Sequence, residues 1–134
     1  MGVMAKHSYA SGEWGGSYEA NVYSNPDSCG LKIVATVEKE PDWDFDIVVL
    51  FMDKKTGSLW IRRDSGCSCP TPFEDVRSFA DMTPVRSERG IDRFLKDEQL
   101  IGENYYSYRL EDVNDFRRKA RAAVCTWKKS KEVS

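Results

Sequence analysis

An α+β domain is what the sequence predicts: a three- to four-stranded antiparallel meander packed against a long C-terminal helix, with two short helices following a cysteine-bearing loop. Three observations predict it. Leu31, Ile33, Ala35 and Val37 alternate with Lys32, Val34, Thr36 and Glu38, the period-two pattern of a strand with one buried face. Phe45–Asp53 is the most strongly apolar run in the chain, and such continuity marks a strand buried on both faces. Val113, Phe116, Ala120, Ala123, Val124 and Trp127 recur at the i, i+3, i+4, i+7 spacing of an amphipathic helix.

The elements follow in order. Residues 1–30 are rich in Gly, Ser and Tyr, with turn signals at Gly12, Gly15-Gly16 and Asn25-Pro26-Asp27. They read as an N-terminal arm anchored on the core by Trp14, Tyr18 and Tyr23, in preference to a ligand-contacting cluster of those rings, with a short edge strand expected over Ser17–Ser24. Residues 31–130 form the single α+β domain, and 131–134 a disordered tail. Glu40-Pro41-Asp42 turns the chain between the first two strands, and Lys54-Lys55-Thr56-Gly57 is a hairpin connection. Leu59–Arg63 is the third strand, with Leu59 and Ile61 facing opposite to Trp60 and Arg62.

Asp64-Ser65-Gly66-Cys67-Ser68-Cys69-Pro70-Thr71-Pro72-Phe73-Glu74 comes next and concentrates backbone constraints. Gly66 permits a positive φ, and Asp64 and Ser65 side chains can bond to nearby amides, so the first half reads as a tight bend. Thr71-Pro72-Phe73-Glu74 has the form of a capping box, with Thr71 at N-cap, Pro72 at N1 and Glu74 at N3. A helix carrying Phe73, Val76, Phe79 and Ala80 is expected behind it, ending at Pro84. Ser87 caps a second short helix bearing Ile91, Phe94 and Leu95, with Gly102 as its stop or in the loop after it. Glu103–Leu110 is a short extended segment, and Glu111–Lys129 the long helix. Its acids (Glu111, Asp112, Asp115) sit at the N-terminal end and Lys128, Lys129 and Lys131 at the other, as the helix dipole favours.

Length and charge narrow the function classes. The chain has 134 residues, 40% of them hydrophobic, enough for one domain with its own core. A net charge of −2 gives the whole molecule no electrostatic pull towards nucleic acid or membrane. No apolar run reaches membrane-spanning length, and Met1-Gly2-Val3-Met4-Ala5-Lys6 lacks the apolar core of a signal peptide. The four cysteines are therefore expected reduced. His7 is the single histidine, which counts against Cys-His and Ser-His-Asp hydrolases. Asp42, Asp44 and Asp46 begin like a calcium loop, yet Ile47 stands where the sharp-turn glycine belongs and Asp53 where the bidentate glutamate belongs.

Cys67 and Cys69 admit three readings. They are small apolar side chains under a tight loop, or two ligands of a zinc site shared with Cys29 and Cys125, or a nucleophile or redox pair in which Cys69 reacts and Cys67 resolves. On the long helix, Arg117, Arg118, Lys119 and Arg121 make a basic outer face with no acid between Asp115 and Glu132. That face is either solvated or a phosphate-contacting surface for nucleic acid.

The Asp64–Pro70 run followed by Pro72-Phe73-Glu74 resembles a family of small uncharacterised proteins encoded by actinobacterial phages. Asn25-Pro26 through Gly30-Leu31 and the Phe45–Trp60 hairpin are similar to the same family, and the resemblance covers roughly residues 20–125. It implies a phage accessory protein made in the host cytoplasm, with no activity attached. The expected role is non-catalytic binding of a host or phage protein, with Asp64, Ser65, Gly66, Cys67, Ser68 and Cys69 as the candidate contact residues and no cofactor. A zinc-supported module touching nucleic acid and a cysteine-dependent enzyme are the two alternatives.

Overall fold

In the computed structural model, the residues described are Trp14, 20–39, 44–67, 72–101 and 108–133. Four strands form one antiparallel sheet in the order β1 (Leu31–Glu38), β2 (Asp44–Asp53), β3 (Leu59–Cys67), β4 (Thr83–Val85). Two helices follow, α1 (Glu88–Asp97) and α2 (Leu110–Val133). The predicted α+β meander is therefore the fold, with the fourth strand supplied by Thr83–Val85.

The sheet is covered on both faces, which is why β2 is apolar from Ile47 to Met52. Val48 and Leu50 join Ala35, Val37, Leu59 and Ile61 in a core closed by Ile91 and Leu95 of α1 and Val113, Phe116, Ala120 and Val124 of α2. Ile47, Val49 and Phe51 point the other way, into a second core with Trp14, Val22, Cys29, Leu31, Phe73, Val76 and Met82. Among the described residues, this layer is made of loop and 3-10 segments. Phe51 and Phe73 meet there edge to face at 5.9 Å between ring centres, and Trp60 stacks on Phe79 at 4.4 Å.

β1 does not keep its alternation on one face. Its register against β2 shifts between Ile33↔Phe51 and Ala35↔Leu50, leaving Val34 as an extra residue. A bulge of this kind turns the following side chains over. Leu31 and Ile33 therefore pack in the loop-side core, and Ala35 and Val37 in the helix-side core. The sequence pattern looks unbroken because both faces demand apolar residues.

The hairpin between β2 and β3 closes as predicted, with Gly57 at φ 79 donating to Asp53 O at 2.7 Å. Ser87 caps α1 with its hydroxyl accepting from Gly90 N at 3.1 Å. Ser87→Ala should cost about 1 kcal/mol, read as a lowered urea midpoint with an unchanged slope. α2 runs past the expected end at Lys129 to Val133, and Ala20, Val22 and Cys29 of the predicted arm are buried in the core.

Two local expectations are corrected. The helix expected from Pro72 does not form: Phe73 lies at φ 69, in the left-handed region, and 72–75 make a turn. The reciprocal cap sits later, where Ser78 and Asp81 bracket a 3-10 turn over Phe79–Asp81. Pro84 does not end a helix; it stands in β4, an edge strand, where a missing amide is tolerated. The edge strand expected over Ser17–Ser24 is, in its described part, a 3-10 and turn segment from Ala20. Gly102, Tyr105 and Tyr106 lie outside the described residues.

Candidate functional site

The contact residues read from the sequence begin in a strand rather than in a bend. Asp64, Ser65, Gly66 and Cys67 are the last four residues of β3 and pair with Ile47, Asp46, Phe45 and Asp44 of β2. Gly66 is a rung of this ladder; the positive-φ glycines among the described residues are Gly30 and Gly57. The side chain of Cys67, together with Ser68, Cys69, Pro70 and Thr71, lies outside the described residues, so the cap expected at Thr71 and the proposed thiol pair do too.

The chain that returns after the motif is held from two sides. Asp64 Oδ2 accepts from Phe73 N at 2.7 Å, and buried Asn21 donates through Nδ2 to Pro72 O at 3.0 Å. Asn21 Oδ1 meanwhile accepts from the amides of Tyr23 and Ser24 at 2.8 and 2.9 Å. Phe73 is fully buried against Phe51 and Tyr23. The left-handed turn is thus fixed by one strand carboxylate and one amide side chain, and the Asp64 carboxylate is committed to the scaffold.

On the helix face of the same strand end lies a polar cluster. Arg63 forms a bidentate pair with Asp46, Nε to Oδ1 at 2.7 Å and Nη2 to Oδ2 at 2.6 Å. Its Nη1 reaches Glu98 O at 2.8 Å, and Tyr108 donates its hydroxyl to Asp46 Oδ1 at 2.7 Å. Burial alone would push the Asp46 carboxyl up, but the bonds from Arg63 and Tyr108 outweigh it and hold it below the usual carboxylate range. The bond to Asp46 raises Arg63, and burial followed by the bond to Asp46 drives the Tyr108 phenol well above its ordinary value. All three groups keep one protonation state across neutral pH, which makes the cluster a clamp between β2, β3 and the start of α2.

Sequence reasoning passed over this cluster, although a signal existed. The hairpin closing pair, Asp53 N to Ser58 O at 2.9 Å, sets a register in which Val48 faces Arg63. Asp46 is then the diagonal neighbour of Arg63 on the same face, within reach of long side chains.

The cysteines outside the motif are parted by the sheet. Cys29 is buried in the loop-side core, where its thiol donates to Ala20 O at 3.2 Å and burial pushes its pKa up. Cys125 is half-buried on α2, which covers the other face. One ion cannot therefore be held by all four cysteines, and among the described residues no three Cys, His, Asp or Glu side chains converge as a metal site needs.

The basic stripe of α2 is neutralised by acids of α1 and by Asp115 at its own N-terminal end. Arg117 Nε and Arg121 Nη1 both reach Asp92 of α1 at 2.7 Å, Lys128 reaches Glu88 at 3.2 Å, and Arg118 and Lys119 pair with Asp115. The cleft between the helices, about 540 Å³, is lined by both signs: Glu88, Arg89 and Asp92 from α1 and Arg121 and Lys128 from α2.

Taken together, fold and site define a small α+β protein whose four-stranded sheet is buried on both faces and carries its sequence motif at the end of the third strand. The chain belongs to the family described as Domain of unknown function (DUF7574), whose model matches residues 20–125. No curated protein and no solved structure matches it. Among the described residues, no helix is long and apolar enough to cross a membrane.

Proposed function

We propose that the chain is a phage-encoded accessory protein, working in the host cytoplasm without catalysis, that engages a host or phage protein through the Asp64–Cys69 motif, which begins in the last residues of β3. One observation carries this reading. The motif begins on the part of β3 that β4 does not reach, since β4 pairs with Leu59–Ile61 and goes no further. Its charged side chains are turned to internal partners, Arg63 to Asp46 and Asp64 to the Phe73 amide. What the strand end offers outward is backbone, the exposed Ser65 and the small Gly66, a surface suited to contact.

The nucleic-acid reading through Arg117, Arg118 and Arg121 has less to rest on, because Asp92 and Asp115 already pair with these cations. A zinc site would have to be built on Cys67 and Cys69 with one of Cys29 and Cys125, not both.

Affinity capture from actinobacterial lysate tests the proposal, comparing wild type with Cys67→Ser/Cys69→Ser. The expected result is one protein retained in near-equal amount by wild type and lost with the double variant. Equal retention by both, or zinc at one equivalent in protein purified without chelator, would overturn it.

A further inference from the structure

The outward edge of β3 has a parity that can be worked out residue by residue. Pro84 has no amide, so Trp60↔Pro84 is a pair without mutual hydrogen bonds, and the Trp60 backbone must turn to β2. The closing bond from Asp53 N to Ser58 O gives the same parity. Even-numbered residues of β3, through Arg62, Asp64 and Gly66, therefore bond to β2. Leu59 and Ile61 turn their backbone groups towards β4, and Arg63, Ser65 and Cys67 turn theirs the same way.

β4 cannot continue alongside those three residues. The rung opposite Arg63 would be Asp81, but its amide donates to Ser78 O at 3.0 Å and its carbonyl accepts from Arg62 Nη1 at 2.7 Å. Among the described residues nothing bonds to the outward N–H and C=O groups of Arg63, Ser65 and Cys67. The result, among the described residues, is a short open edge with three donors and three acceptors, of the kind proteins usually blunt with charges or cover. Here the Arg63 charge is drawn inward to Asp46, and the small Ser65 stands exposed at the middle of the edge.

We infer that a second copy of this chain pairs antiparallel along this edge, about a two-fold axis at Ser65. In that register Ser65 bonds with Ser65 of the other copy and Arg63 with Cys67, so all three donors and all three acceptors of each chain are used. Asp64 then faces Gly66, and no two like charges stand opposite one another. An axis at Arg63 would satisfy fewer groups and set two guanidinium groups face to face. The small net charge of −2 opposes association only weakly. This goes beyond the proposed capture and rests on the same edge, so the dimer is the form without a partner, which a host or phage protein displaces.

Sedimentation of the purified chain over a range of concentrations tests it, in wild type and in Ser65→Lys and Ser65→Pro. Wild type should shift from monomer to dimer as concentration rises. Ser65→Lys sets two ammonium groups across the axis, and Ser65→Pro deletes an amide that β2 does not use. Both should stay monomeric with unchanged far-UV circular dichroism. A wild type that is monomeric at every concentration overturns the inference, even if the edge accepts a foreign peptide, and so does a dimer that both variants retain. A fold lost in Ser65→Pro would contradict the assigned parity.

Discussion

Phe51→Ala should remove about 3–5 kcal/mol of stability, the usual cost of emptying an aromatic from a packed core. Phe51 is fully buried at the centre of β2 and meets Phe73 edge to face. Typical domains hold about 5–15 kcal/mol in total, so the variant should be close to unfolding at 37 °C. The test is a urea titration, with the midpoint lowered and the slope unchanged. A loss below about 1 kcal/mol would mean that the loop-side layer is not packed as a core. Phe73→Ala should give a similar loss, and the double variant less than the sum, by about 0.5–1.5 kcal/mol for the ring contact.

Asp46→Asn should cost about 2–3 kcal/mol. The pair with Arg63 is only 17% and 25% exposed at the two side chains, and removing one member of a shielded pair leaves the other charge uncompensated. The estimate sits below the range for fully buried pairs because some solvent reaches both groups. Its pH dependence has a definite sign. The folded carboxyl is held below its ordinary value, so its contribution is present above the unfolded pKa of about 3.9 and is lost as pH falls through the folded value. The gap between wild type and Asp46→Asn should therefore be constant near neutrality and close below about pH 4. A gap that widens on acidification would refute the clamp. Asp46→Leu/Arg63→Met should recover much of the loss, because the desolvation cost goes with the charges.

Periodicity made much of the fold legible. The bounds of β1, the double-faced burial of β2, the Ser87 cap and the α2 stripe all rest on signals contained within one element. Failures came where a distant partner overrides a local preference. Ser65-Gly66 carries turn chemistry, but pairing with Phe45 and Asp46 extends β3 through it. Pro72-Phe73-Glu74 spells a helix start, yet Asp64 and Asn21 hold the backbone in a left-handed turn. The bulge at Val34 left no trace because both layers take apolar residues. Of the candidate site, the sequence singled out the stretch but not the strand conformation of Asp64–Cys67. The pairing of Arg117 and Arg121 with Asp92 was hidden because the acid lies on another helix.

Amide exchange across Arg62–Cys67, followed residue by residue in dilute protein, tests the strand-edge assignment most directly. Slow exchange at Arg62, Asp64 and Gly66 with fast exchange at Arg63, Ser65 and Cys67 is the predicted alternation, the second set slowing as concentration rises. Uniformly fast exchange through all six would show a flexible loop in place of an open strand, and the proposed mode of contact would have no physical basis.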